Sequence, residues 1–108
     1  MDTIFALASA RGKAGVSVIR ISGADALSTF QVFGAVPPDG RTPVLRTLLG
    51  PAGAIDQVLA LRFDGPNSFT GENVVELHTH GSVAIVDTIM SILSGSNGFR
   101  LAEPGEFT

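Results

Sequence analysis

The sequence predicts an α+β fold: a single mixed β-sheet with two or more helices packed against it. Three observations predict it. Apolar segments of strand length recur six times along the chain, two intervening stretches carry apolar residues at helical spacing, and the order reads β-β-α-β-β-β-α-β. That order is neither the regular strand–helix alternation of a parallel sheet nor the uninterrupted strands of a sandwich.

The first strands are "TIFALAS" (3–9) and "VSVIRIS" (16–22), separated by the loop "ARGKAG". Ser22-Gly-Ala-Asp25 has the spacing of a capping box and predicts a helix from about Ala24 to Phe33, with Leu27, Phe30 and Phe33 near one face and Gly34 as its stop. "AVPPDGRTP" is a Pro/Gly loop. "VLRTLLG" and "IDQVLALRF" read as strands joined by "GPAGA" in a hairpin. After the turn-rich "DGPNSFTG" comes a fifth strand, "VVELHTH". Gly81 and Ser82 then open a helix to about Ser94, in which Val83, Val86, Ile89, Met90 and Leu93 form one apolar face. "GSNG" closes it, and "FRLA" is a short last strand. The closing "EPGEFT" lacks a terminal helix or polar tail, so a fragment of a longer chain is expected.

Composition narrows the function classes. At 108 residues, with 44% hydrophobic and 16% charged residues, the chain suits one folded domain rather than a disordered segment. Seven basic residues face ten acidic ones, for a net charge of −3, and Lys13 is the single lysine. A duplex-binding domain normally shows a basic stripe, and none is visible. No cysteine is present, which excludes disulfides, thiolate metal ligands and a thiol nucleophile within the chain. The apolar runs are far shorter than the roughly 20 residues of a membrane helix, and the N-terminus lacks a basic signal-peptide start. A soluble cytoplasmic protein without a membrane partner is therefore expected.

The segment "VVELHTHG" (74–81) raises the central question. Alternation puts Val75, Leu77 and Thr79 on one strand face and Val74, Glu76, His78 and His80 on the other. A carboxylate and two imidazoles in one row of an apolar strand call for a partner, a metal or a ligand. Glu76, His78 and His80 could form a zinc-type ligand set, although no second cluster of ligand residues accompanies them. Gly81, at a strand-to-helix junction, could present backbone N–H groups to an anion or a carbonyl oxygen, or could simply be a tight turn. The Gly12-Lys13 loop does not match a phosphate-binding loop, and "RISGADA" lacks a dinucleotide fingerprint. Arg20 is a second charge inside an apolar strand, sharing a face with Val16, Val18 and Ser22. Arg20 and Glu76 could form a structural ion pair, or could bind a planar heterocycle through its N–H edge. Composition does not choose between these.

Three stretches, "GVSVIRISG" (15–23), "GPNSFTGENVVELHTHG" (65–81) and "RLAEPGEFT" (100–108), resemble in order the N-terminal domain of the tRNA-modification GTPases of the TrmE (MnmE) family. The likeness covers nearly the whole chain, more loosely between Phe33 and Ile55. It departs at three places: the loop "SARGKAG" stands where members have a Pro- and Gly-rich one, Gly81-Ser82 where they have Gly-Gly, and Asn73 where they have Asp. The resemblance implies that residues 1–108 form a folate-binding and dimerisation domain, similar to the folate-binding domain of the glycine cleavage T-protein. It implies 5-formyltetrahydrofolate or a related tetrahydrofolate as the one-carbon donor, with folate contacts on Arg20 and Glu76, and His80 and Gly81 beside the pocket. A cytoplasmic homodimer is implied, acting with the flavoprotein MnmG (GidA) on carbon 5 of the wobble uridine of certain tRNAs. GTP, magnesium and potassium belong to a GTPase domain beyond these residues, as does a lysine that also touches folate. The chain alone is thus expected neither to hydrolyse GTP nor to modify tRNA, and no residue in it is assigned a catalytic role. The rival expectations are a purely structural dimerisation domain and a small metal-dependent hydrolase built on Glu76, His78 and His80.

Overall fold

The computed structural model describes residues 2–9, 15–68 and 70–107. The Gly12-Lys13 part of the first loop and Phe69 of the "PNSFTGE" stretch lie outside the described residues. Six strands form one sheet: β1 (Thr3–Leu7), β2 (Val16–Ser22), β3 (Val44–Gly50), β4 (Gly53–Phe63), β5 (Val74–His80) and β6 (Phe99–Leu101). Two helices, α1 (Ser28–Val32) and α2 (Val83–Ser94), complete the described elements. The strand order is β3-β4-β5-β2-β1-β6. All neighbours are antiparallel except β1 and β6, which run parallel, so the sheet is mixed, as the element order predicts.

β5 sits between β4 and β2, and its alternation divides the molecule into two faces. Val75 and Leu77 join Ile19 and Ile21 of β2, Val58 and Ala60 of β4, and Phe5 of β1 in one buried cluster. Phe30, Phe33, Val86, Ile89 and Leu93 close that cluster from the helices. The second face, carrying Val18, Arg20, Glu76, His78, Leu59 and Leu61, is half-buried. An antiparallel sheet can leave one face without a helical layer. At one end, though, Ser22 and Val74 of this face are buried, beside Thr70 and Asn73 of the loop before β5. The loop is fixed there by a Ser22–Thr70 hydroxyl hydrogen bond of 2.7 Å and by the Gly23 amide donating to the Asn73 carbonyl at 3.0 Å.

The helices correct two sequence expectations. α1 is five residues long, not ten, and its N-cap Leu27 makes no side-chain cap bond. Ser22 cannot cap it, because that residue ends β2 and its hydroxyl is engaged by Thr70. The amide of Asp25 takes the Thr3 hydroxyl instead, at 3.0 Å. Residues 24–27 wind as successive turns, with the amides of Ala26, Ser28, Thr29 and Phe30 each bonded three residues back. Gly23 enters those turns at φ +146°, and a Cβ there would lie 2.6 Å from the Thr3 hydroxyl oxygen. α2 starts where expected, with the Ser82 hydroxyl accepting from the Ile85 amide. Val83, assigned to the buried face, is 46% exposed in its first turn, while Ile85 and Ile92 lean toward the β3–β4 turn. No helix among the described residues is long and apolar enough to cross a membrane.

Candidate functional site on the open sheet face

Antiparallel pairing places Arg20 directly opposite Glu76, so the two isolated charges share the open face. Arg20 Nε donates to Glu76 Oε2 at 2.9 Å, and Nη2 lies 2.8 Å from the same oxygen. His78 Nε2, one step along the same row, lies 3.0 Å from Glu76 Oε1. The side chains of Arg20, Glu76 and His78 are 27%, 16% and 28% exposed, half-sunk in the sheet surface. Burial pushes the Glu76 carboxyl up, but the hydrogen bonds from His78 and Arg20, with the Arg20 charge, outweigh it and hold the group below its ordinary range. Glu76 is therefore an ionised acceptor at neutral pH.

Beside the pair lies a cavity of about 340 Å³ lined by Arg20, Glu76, Val74, Phe63, Arg41, Asn67 and Ser68. β2 and β5 supply its charged floor, and β4 supplies Phe63 at the strand end paired with Val74. The loops before β3 and before β5 supply the rim. Arg41 lies over the Phe63 ring, 5.5 Å from its centroid, and donates through Nη2 to the Asn67 carbonyl. Ser68 donates to the Glu72 carbonyl, and the Gly65 amide donates to Asn73 Oδ1 at 3.1 Å, closing the 65–73 loop on itself. Side-chain spacing within strands reveals none of Arg41, Phe63, Asn67 or Ser68 as pocket residues. The one signal for the last two is their place in the "PNSFTGE" stretch.

His80 and Gly81, expected beside this pocket, lie elsewhere. Four steps along the strand separate Glu76 from His80, roughly 13 Å, and neither His80 nor Gly81 lines the cavity. The exposed His80 ring meets Asp56 on β4, Nδ1 to Oδ1 at 2.7 Å, and its backbone amide donates to Asp56 Oδ2 at 3.0 Å. The Gly81 amide donates to the Gly15 carbonyl at 3.1 Å, so it is a structural contact rather than an open anion donor. Since His78 turns to Glu76 and His80 to Asp56, the three-residue metal set does not converge. Among the described residues no group of three His, Cys, Asp or Glu side chains is placed to hold a metal ion.

The third motif stretch closes the sheet's far edge. Arg100 of β6 reaches Asp2 Oδ2 at 2.9 Å and forks onto the Glu106 carboxylate, which also accepts from the Glu103 amide at 2.8 Å. The bond to Arg100, with that amide, pulls the Glu106 carboxyl down to about 2.

The sequence matches one known family, described as "GTP-binding protein TrmE N-terminus", over residues 3–108. The chain belongs to the TrmE N-terminal family. It is similar to the tRNA modification GTPase MnmE of Dinoroseobacter shibae, with 54% identity over the whole chain and 25% of that protein. The proteins of the same name from Roseobacter denitrificans and Anaplasma marginale are 52% and 49% identical, with 100% and 99% of the chain covered and 26% and 24% of each relative. The chain thus spans about a quarter of the length of the curated relatives it matches. Within this TrmE N-terminal domain, the open face has the means to bind a flat polar molecule: a fixed carboxylate, two guanidinium groups, an aromatic ring and a small apolar wall.

Proposed function

We propose that this chain is the tetrahydrofolate-binding and dimerisation module of a tRNA-modifying GTPase. In this reading it holds a tetrahydrofolate such as 5-formyltetrahydrofolate at Arg20 and Glu76. The observation that carries the proposal is the cross-strand placement of those residues on one face beside a cavity large enough for a bicyclic ring. Arg20 puts both nitrogens on Glu76 Oε2, so Oε1 is the atom left to a ligand, in exchange for the His78 contact. A pterin edge offers N–H donors, and a carboxylate has lone pairs that would receive them. Phe63 and Val74 supply apolar contact for the ring.

When bound, the folate supplies the one-carbon unit for carbon 5 of the wobble uridine. This chain's residues bind and orient it, while GTP hydrolysis, with its magnesium and potassium, and contact with tRNA and the flavoprotein MnmG belong to the remaining length of the protein. A homodimer fits the half-buried apolar residues Val18, Leu59 and Leu61 on the face without a helical layer. Titration calorimetry with 5-formyltetrahydrofolate tests the binding, and Glu76→Gln is expected to weaken it at least about tenfold, the scale of a lost charge-assisted hydrogen bond. Sedimentation at several concentrations tests the dimer, which a persistent monomer overturns.

A second reading has its own support. Arg20 and Glu76 compensate each other without any ligand, as a structural ion pair does. A dimer that binds no folate, in wild type and Glu76→Gln alike, identifies that purely structural role.

A further inference from the structure

We propose that Arg41 recognises the anionic end of the molecule held beside Arg20 and Glu76, making the cavity selective for a flat heterocycle that carries a carboxylate-bearing tail. The proposal rests on the folate reading above and adds a residue and a specificity to it. Charge bookkeeping leads to it. Arg20 is countered by Glu76, Arg62 by Asp64, and Arg100 by Asp2 and Glu106. Among the described residues Arg41 meets no carboxylate: its contacts are the Asn67 carbonyl and the Phe63 ring. Arg46 shares that lack, but it is turned onto the carbonyls of Val36 and Leu45 and does not line the cavity.

Position and preorganisation agree with this role. Arg41 is exposed and lines the cavity, so it stands at the rim where Glu76 stands at the floor. A volume of about 340 Å³ is near the small end of ligand sites, which start at roughly 300 Å³. Such a space encloses a bicyclic head and obliges any longer substituent to leave past the rim. The guanidinium there is already seated over an aromatic ring and tied to a backbone carbonyl, so little rotamer freedom remains to be lost when it engages an anion. A guanidinium has five N–H donors. The Asn67 bond uses one, leaving a fork that matches a carboxylate.

The test is a two-by-two titration on the 108-residue chain. The ligands are 5-formyltetrahydrofolate and a 5-formyltetrahydropterin that lacks the aminobenzoyl-glutamate tail, and the proteins are wild type and Arg41→Gln. Glutamine keeps a donor for the Asn67 carbonyl while removing the charge. The expected result is about a tenfold or greater loss of affinity for the tailed ligand, diminishing as salt is raised, and no change for the tail-less one. Equal losses for both ligands, or no loss for either, overturn the proposal while leaving the folate reading in place. Wild-type protein that binds neither ligand overturns the folate reading and this inference with it. Arg41→Ala serves as the second variant: a loss of tailed-ligand affinity there but not in Arg41→Gln makes the residue a mere tie between loops and also overturns the proposal.

Discussion

Replacing Glu76 by Gln offers the most direct measure of what the open-face charges do for the fold itself. The substitution keeps the shape and removes the charge that faces Arg20 at 2.9 Å and His78 at 3.0 Å. A fully buried pair broken in this way costs about 3–5 kcal/mol, and a fully exposed one about 0–1 kcal/mol. With side-chain exposures of 16% and 27%, this pair lies between, and about 1–2 kcal/mol is expected at pH 7. For a domain of this size that lowers Tm by roughly 5–10 °C. The pH dependence gives the sharper test. The folded-state pKa of Glu76 is depressed, so its stabilisation is fully present above the unfolded value of 4.5 and is lost as pH falls through the folded value. Protonated Glu and Gln are alike in charge. The stability gap between wild type and variant, followed by urea unfolding, should therefore be widest at neutral pH and close on acidification below about 4.5. A gap that stays constant down to pH 3, or no gap at pH 7, refutes the account of the pair.

Other substitutions probe the loop and helix that frame the site. Gly65→Ala should destabilise by about 1–3 kcal/mol and disrupt folate binding, because its Cβ would sit 2.6 Å from the Gly71 carbonyl oxygen; urea unfolding and calorimetry read the two effects. Asn73→Asp should leave stability within about 0.5 kcal/mol, since a carboxylate oxygen also accepts the Gly65 amide, whereas Asn73→Ala should cost about 1–2 kcal/mol. Ser82→Ala should lower stability by about 1 kcal/mol through loss of the α2 cap, and Ser82→Gly by only a few tenths; thermal melts rank the three proteins.

The strands were legible because their pattern is local. Alternation marks β2 and β5, and it alone puts Arg20 with Val18 and Glu76 with His78 on single faces. The mixed sheet with helices follows from the element order. What sequence spacing could not show is which strand lies beside which, so the meeting of Arg20 with Glu76, 56 positions apart, is a product of the β2–β5 register. The rim of the cavity was illegible for the same reason: Arg41 and Asn67 come from loops on either side of the β3–β4 hairpin. The capping-box spacing misled because the Ser22 hydroxyl has a tertiary partner in Thr70 that competes with any helix amide. His80 misled because sharing a strand face with Glu76 does not mean sharing a pocket, and Asp56 offered it a nearer partner.

The parallel pairing of β6 with β1 bears on how the molecule assembles. Thr3 lies against Phe99 and Phe5 against Leu101, so the first strand acquires its outer neighbour only after β2 to β5 and both helices have been laid down. The β3–β4 hairpin closes a short loop and can form early, whereas bringing β6 to β1 carries the entropy of ordering everything between them. Nucleation is then expected in the hairpin and the central strands, with the edge zipped last, and refolding slower than in a helical protein of equal size. Weakening the Arg100 clasp should chiefly accelerate unfolding and leave the refolding rate nearly untouched.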